Sequence, residues 1–239
     1  MTRQRLRQLA ADFSRRIDNL HFSRPVMFVY NPLHYAWPGF CAYLDQYANG
    51  NKSVVFLGMN PGPWGMAQTG VPFGEIAAVR DWLGIDAAIG RPEREHPKRP
   101  VTGFDCRRSE VSGRRLWGLF RKHFPTADCF FQDHFVANYC PLLFLEESGR
   151  NLTPDKLPTA DREPLLKMCD DHLARFVDEL RPRWLVGVGK FAADAARRSL
   201  AGRDIGIVQI LHPSPANPQA NRDWAGRVTR TLRERNIWG

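Results

Sequence analysis

The stretch Ser53-Val54-Val55-Phe56-Leu57-Gly58-Met59-Asn60-Pro61-Gly62-Pro63 decides how this chain is read. Its first half is a short apolar, β-branched run without polar alternation, the pattern of a strand buried on both faces. Its second half is a tight turn punctuated by proline and glycine that opens on a carboxamide. The same scheme recurs twice further along. Cys129–Ala137 is an apolar run that reads as a strand and runs into Asn138-Tyr139-Cys140-Pro141, and Ile205–Leu211 is a strand that runs into His212-Pro213-Ser214-Pro215. A fourth buried strand is Trp184-Leu185-Val186-Gly187-Val188. The Gly187-Val188-Gly189-Lys190 turn after it lacks the glycine spacing and the following Ser/Thr of a phosphate loop, and reads as a plain strand-to-helix turn.

Helical spacing fills the intervals. Leu6, Leu9, Phe13, Ile17 and Leu20 recur three or four apart across residues 3–20. Further helices are expected at Gly74–Leu83, Arg114–His123, Asp161–Leu180, Lys190–Leu200 and Trp224–Asn236. Gly84–Ser112 is rich in glycine, proline and charge, has no steady period, and reads as a long irregular excursion whose role stays open. Alternation of strand and helix predicts an α/β fold in a single domain over residues 1–239. Its centre is a mostly parallel four-stranded sheet with helices on both faces. Such sheets bind ligands beyond the carboxyl ends of their strands. Two carboxamides and one imidazole, Asn60, Asn138 and His212, therefore converge on one polar site.

Composition narrows the chemistry. At 43% hydrophobic and 11% aromatic residues, the 239-residue chain is a folded protein and not a disordered one. No apolar run approaches the roughly 20 residues that span a bilayer, and the arginine-rich start leads into no signal core, so no membrane partner is expected. That same lack of a span and a signal core reads as a cytoplasmic protein, and the five cysteines, odd in number and scattered without a C-x-x-C pair, argue against a disulfide framework and a zinc ribbon. No G-x-S-x-G elbow, H-E-x-x-H, H-x-E with P-C-x-x-C, or EF-hand spacing occurs, so acyl transfer, metal ions and cofactors are not expected. The net charge of +9 is clustered. Residues 91–115 alone carry eight Lys and Arg against four acids. Clustered cations suit a polyanion, although charge by itself leaves ordinary solvated faces open.

Two long segments carry a resemblance. Gly58-Met59-Asn60-Pro61-Gly62-Pro63-Trp64-Gly65-Met66-Ala67-Gln68-Thr69-Gly70-Val71-Pro72-Phe73-Gly74 and His212-Pro213-Ser214-Pro215-Ala216-Asn217-Pro218-Gln219-Ala220-Asn221 resemble the first and second motifs of the single-strand-selective monofunctional uracil-DNA glycosylases. Ser109-Glu110-Val111-Ser112-Gly113 and Asn138-Tyr139-Cys140-Pro141-Leu142-Leu143-Phe144-Leu145 are similar to family segments in the same order. The likeness covers roughly residues 20 to 238. One departure is Trp64, where the family usually carries phenylalanine.

The resemblance implies a monofunctional DNA glycosylase of the uracil-DNA glycosylase fold. It would remove uracil, and oxidised uracils such as 5-hydroxymethyluracil, from single- and double-stranded DNA, leaving an abasic site. Asn60 resembles the residue that holds the attacking water, a positioning task for which a neutral carboxamide suffices. His212 would donate a hydrogen bond to the uracil O2 as that atom gains negative charge. Asn138 offers an acceptor and a donor that match the N3–H and O4 edge of uracil and mismatch cytosine. Phe73 is placed as the ring stacked on the flipped base, and Gly62 and Met66 as the wall near C5.

DNA contacts are expected at Ser112 and Gly113. More are expected along the stiff loop from Pro213 to Trp224, at Pro213, Ser214, Pro215, Asn217, Gln219, Asn221 and Arg222. A monomer acting on damaged DNA is implied, nucleoid-associated in a bacterium or nuclear in a eukaryote. Two readings of other classes remain open on the sequence: a silent nucleic-acid-binding module, and a hydrolase of free nucleosides or nucleotides.

Overall fold

Residues 2–239 are described by the computed structural model. The amphipathic helix α1 (Thr2–Ile17) buries Leu6, Ala10, Phe13 and Ile17, the stripe that the spacing predicts. The proline- and aromatic-rich segment after it folds into strand β1 (Phe28–Tyr30), helix α2 (Pro32–Tyr35) and helix α3 (Trp37–Tyr47). Asn31 caps α2 by accepting from Leu33 N at 3.1 Å, and its amide donates to Ser14 Oγ at 2.9 Å, tying that turn to α1.

Strand β2 (Val54–Gly58) follows, every residue buried, and then the short helix α4 (Met66–Thr69). The helix expected at Gly74–Leu83 is present over residues 76–82, but it is short and widens into a π-turn at Ala78–Trp82. Phe73 at φ 54° and Gly84 at φ 63° interrupt the chain on either side. The 84–112 excursion is irregular up to Glu110, apart from a 3-10 turn at Gly103–Asp105, and its last two residues already belong to the next helix.

Helix α5 (Val111–His123) comes next. The apolar run Cys129–Ala137, expected as a strand throughout, divides. Its first part belongs to helix α6 (Ala127–Asp133), capped by Thr126 Oγ1 accepting from Cys129 N at 3.2 Å, and strand β3 (His134–Asn138) begins only after Asp133. Strands β4 (Leu143–Leu145) and β5 (Asn151–Leu152) pair antiparallel with β1 and with each other to form a small second sheet. Strands of two or three residues carry no alternation to read, so this sheet has no sequence signature.

Helix α7 (Thr159–Leu180), strand β6 (Trp184–Val188), helix α8 (Lys190–Ser199), strand β7 (Gly206–Ile210) and helix α9 (Pro218–Glu234) complete the chain. The last helix starts earlier than its apolar spacing implies and is kinked at Asp223.

The main sheet has the order β3-β2-β6-β7, all parallel, as expected. Phe56 packs against Phe120 of α5 and Phe130 of α6 on one face, and Phe135 packs against Phe176 of α7 on the other. Both faces are thus covered, as a parallel sheet requires. After β2 the chain moves to one side of that strand, and after β6 to the other. The carboxyl ends of these strands are therefore a topological switch point, where the diverging loops leave a crevice.

Candidate active site

Register brings the site together. Gly58, the last residue of β2, is paired with Asn138, the last of β3, and Val188 of β6 with Ile210 of β7. A Cβ on Gly58 would sit 2.4 Å from Asn138 Oδ1 and 2.5 Å from the Phe73 ring, so only glycine lets those two side chains meet over the strand end. Gly189, at φ 94°, turns the chain out of β6 under the Cβ of His212.

The crevice is a pocket of about 270 Å³ whose walls include Asn60, Gly62, Phe73, Asn138 and His212. Asn60 donates from Nδ2 to the Leu142 carbonyl at 3.0 Å, which fixes the amide; no protein donor engages its Oδ1 among the described residues. Asn138 donates from Nδ2 to Met66 Sδ at 3.2 Å, while its Oδ1 is buried without a partner. An orphaned buried acceptor costs about 1–3 kcal/mol. It is kept where a ligand completes it.

His212 accepts at Nδ1 from the Ser214 amide at 3.1 Å, so the neutral ring carries its proton on Nε2. Burial pushes its pKa down to about 4. Phe73 holds a backbone conformation that favours glycine. Its carbonyl accepts from Trp117 Nε1 at 3.0 Å and from Glu75 N at 2.7 Å, and Gly113 leaves that oxygen room. Its ring centre lies 6.5 Å from that of His212. Strain held by several partners is common at functional sites.

The remaining expected residues divide. Ser112 and Ser214 line the pocket. Gly113 and Pro213 are buried, whereas Pro215, Gln219, Asn221 and Arg222 are exposed. Asn217 serves as the N-cap of α9, accepting from Gln219 N at 3.0 Å. Asn221 donates to the Pro215 carbonyl at 2.9 Å, bracing the loop.

Two residues of the site carry no assignment from sequence. Arg115 donates to the Pro213 carbonyl at 3.0 Å and to Asn221 Oδ1 at 2.9 Å, clasping the loop from α5. Glu110 lines the pocket with its carboxyl against Gly62 and Gly65, either of whose Cβ would collide with it. Burial, and secondarily the charge of Glu75, raises its pKa to about 7. Glu75 itself is engaged, accepting from Ser109 Oγ at 2.8 Å and from Ala78 N at 3.0 Å. Among the described residues no group of three or more His, Cys, Asp or Glu side chains stands close enough to hold a metal ion. No helix there is long and apolar enough to cross a membrane.

The chain that builds this crevice of neutral amides, an imidazole and a strained aromatic ring has known relatives. Residues 44–233 match the uracil DNA glycosylase superfamily. The chain is 52% identical over 220 residues, 91% of its length and 79% of the relative's, to the single-strand selective monofunctional uracil-DNA glycosylase of Rattus norvegicus. It is also 52% identical, over 91% of its length and 81% of the relative's, to the protein of that name in Bos taurus. The crystal structure of wild-type SMUG2 from Pedobacter heparinus shares the fold, with a TM-score of 0.67 over 96% of this chain and 99% of that one, at 14% identity. The chain belongs to the uracil-DNA glycosylase superfamily and is a DNA-acting hydrolase of that class.

Proposed function

We propose that this protein hydrolyses the N-glycosidic bond of uracil, and of 5-substituted uracils such as 5-hydroxymethyluracil, in single- and double-stranded DNA, acting as a monomer and leaving an abasic site. The observation that carries the reading is the buried, unpartnered Oδ1 of Asn138 beside an Nδ2 that donates only to a sulfur. Uracil supplies what that amide lacks, an N3–H for the oxygen and an O4 for the nitrogen. Cytosine would set an acceptor against Oδ1 and an amine against Nδ2, and would leave the orphan unpaired.

The departing base gains negative charge and the sugar positive charge. His212 meets the first with its Nε2–H, already oriented by Ser214 and neutral near pH 7. Asn60 presents Oδ1 to a water and, being neutral, orients that water without deprotonating it. Such a weak nucleophile suffices when bond cleavage runs ahead of attack. Phe73 stacks on the extruded base, and Gly62 leaves room beside C5. Pro215 on the loop and Gln219, Asn221 and Arg222 on the first turns of α9 are exposed and would face the duplex. The protein's place is with the genome, in a nucleoid or a nucleus.

The test is base release from labelled single- and double-stranded oligonucleotides bearing uracil, 5-hydroxymethyluracil, xanthine or mismatched thymine, read on a gel after alkaline cleavage. Release of the two named bases from both strand forms is the expected result. Binding without release at high enzyme concentration would mark a silent binding module. Activity on free deoxyuridine that excess undamaged DNA does not inhibit would mark a nucleoside hydrolase.

A further inference from the structure

Pro63 lines the pocket and Trp64 lines the groove beside it, so pocket and groove meet across one peptide bond. They meet again on the other side, where Arg108 belongs to the groove and Glu110 to the pocket. The groove, about 580 Å³, is formed largely by the 84–112 excursion and gathers Lys98, Arg99, Arg107 and Arg108, with Asp105 its sole acid among the described residues. The guanidinium carbons of Arg108 and Arg99 stand 4.7 and 5.4 Å from the centre of the Trp64 ring, within cation–π range.

Little in the protein neutralises these cations: apart from their contact with Trp64, the one side-chain hydrogen bond they make among the described residues is that of Arg99, donated to the Lys98 carbonyl at 2.9 Å. Among the described residues, none of the four has a carboxylate within the 4.0 Å of an ion pair, whereas Arg7, Arg198 and Arg203 elsewhere on the surface each do. Arg99 Nε is also buried without an acceptor. Paired guanidinium forks and an unmet N–H are groups that phosphate oxygens satisfy well.

The groove is rigidly fixed to the catalytic loop. The side chain of Gln68, fully buried, donates to the carbonyls of Pro63 and Pro100 at 2.9 Å each and accepts from Thr102 N at 2.9 Å. A second anchor is His96, which accepts from Lys98 N at 3.0 Å and whose ring bonds the Glu147 carbonyl at 2.9 Å. The excursion is therefore held in register with Asn60 and Gly62, and its cations are placed before any ligand arrives.

We propose that this groove is a second DNA subsite, holding the phosphates of the strand next to the nucleotide in the pocket. Its occupant follows from position: a strand that delivers a base past Pro63 and Glu110 brings its adjoining phosphates to Trp64, Arg99 and Arg108. The indole holds both guanidinium groups beside it, and the excursion turns an otherwise shallow rim into a cradle for an unpaired flank. This inference rests on DNA being the substrate, but its test does not depend on base release.

The test uses fluorescein-labelled single-stranded oligonucleotides containing uracil, full length or trimmed on the 5′ or the 3′ side. Binding is followed by anisotropy across salt concentrations, and base release by single turnover. With Arg99→Gln and Arg108→Gln combined, the expected result is a Kd raised at least tenfold. The slope of log affinity against log salt falls by about 1.4, two single-strand phosphate contacts, and the effect falls on Kd and not on the saturated rate. The unaltered protein should lose a comparable factor when one flank, and not the other, is trimmed, and the double variant should lose nothing more on that substrate. Unchanged affinity and salt slope would overturn the proposal, as would equal sensitivity to trimming either flank. So would a slower saturated rate at full affinity. If the unaltered protein shows the one-sided flank dependence but releases no uracil, the subsite stands and the glycosylase reading falls.

Discussion

The Ser214 amide donates to Nδ1 of His212 at 3.1 Å, and this one hydrogen bond decides the tautomer of the ring. The proton is left on Nε2, where it serves as a fixed donor. Burial holds the pKa at about 4, so the ring is a neutral donor throughout the physiological range. Replacing His212 by Leu should slow single-turnover base release by 10²–10³, on the order of 3–4 kcal/mol, with DNA affinity nearly intact. That replacement should also leave the position of any rate inflection between pH 5 and pH 8 unchanged, since the group titrating near 7 in the pocket is Glu110. Unchanged turnover in the variant would remove His212 from the mechanism.

Asn60 makes its one protein hydrogen bond through Nδ2, to Leu142, and has nothing on Oδ1 among the described residues. Asn60→Ala should therefore depress the rate of base release strongly while the Kd for substrate DNA changes little. Parallel loss of binding and rate would assign the residue to the shape of the loop.

Glu110 gives the fold a pH dependence of definite sign. Its carboxyl has a pKa of about 7 against an ordinary value of 4.5, so between those values the folded chain keeps a proton that the unfolded chain has released. Stability from this group is complete below about pH 4.5 and is lost as pH rises through 7, at most about 3 kcal/mol. His212 works in the opposite sense, its contribution present above pH 6.5 and lost as pH falls through about 4. Urea unfolding of Glu110→Gln should show a gain over the parent at pH 8 and little difference at pH 5. A gain of equal size at both pH values would mean that Glu110 does not titrate as described.

What the sequence showed of this site, and what it hid, follows from the range of each interaction. Val54–Gly58 is legible as a strand because burial on both faces excludes polar residues from it. His212, Asn138 and Asn60 are legible because each directly follows such a run. The boundary inside Cys129–Ala137 was missed although Gln132, Asp133 and His134 mark it, because a seven-residue helix is too short to show a helical period and its Phe130 and Phe131 resemble the Phe135 and Val136 of the strand. Glu110 escaped for another reason. Its burial depends on two glycines, Gly62 and Gly65, that meet it only in three dimensions. The stack of Arg99 and Arg108 on Trp64 needs the excursion folded back on the loop, which no local pattern encodes.

Among the described residues no lysine lines the pocket, and Lys190 at the end of β6 is paired with Asp194. With no amine in the pocket wall, borohydride added during turnover should trap no protein–DNA adduct, and a chelator should leave the rate unchanged. Recovery of an adduct on a denaturing gel would make the attacking group an amine in place of water.

Arg115 tests the loop without touching the pocket. By holding the Pro213 carbonyl and Asn221 Oδ1 together, it keeps the segment from Pro215 to Arg222 in one shape beside the pocket, the edge proposed to face DNA. A base in a duplex must be unpaired and unstacked, at a cost of a few kcal/mol, before the pocket can receive it, and single strands largely escape that cost. On the proposed reading, a rigid segment here would fill the space the base vacates. Arg115→Met should therefore lower excision of uracil from a duplex several-fold more than excision from a single strand. The same should hold when Pro215 and Ala216 are replaced by Gly and Ser with the Asn217 cap kept. Single-turnover rates on the two substrates, measured side by side, decide it. Equal losses on both would mean that the clasp shapes the seat of His212 and not the opening of the duplex.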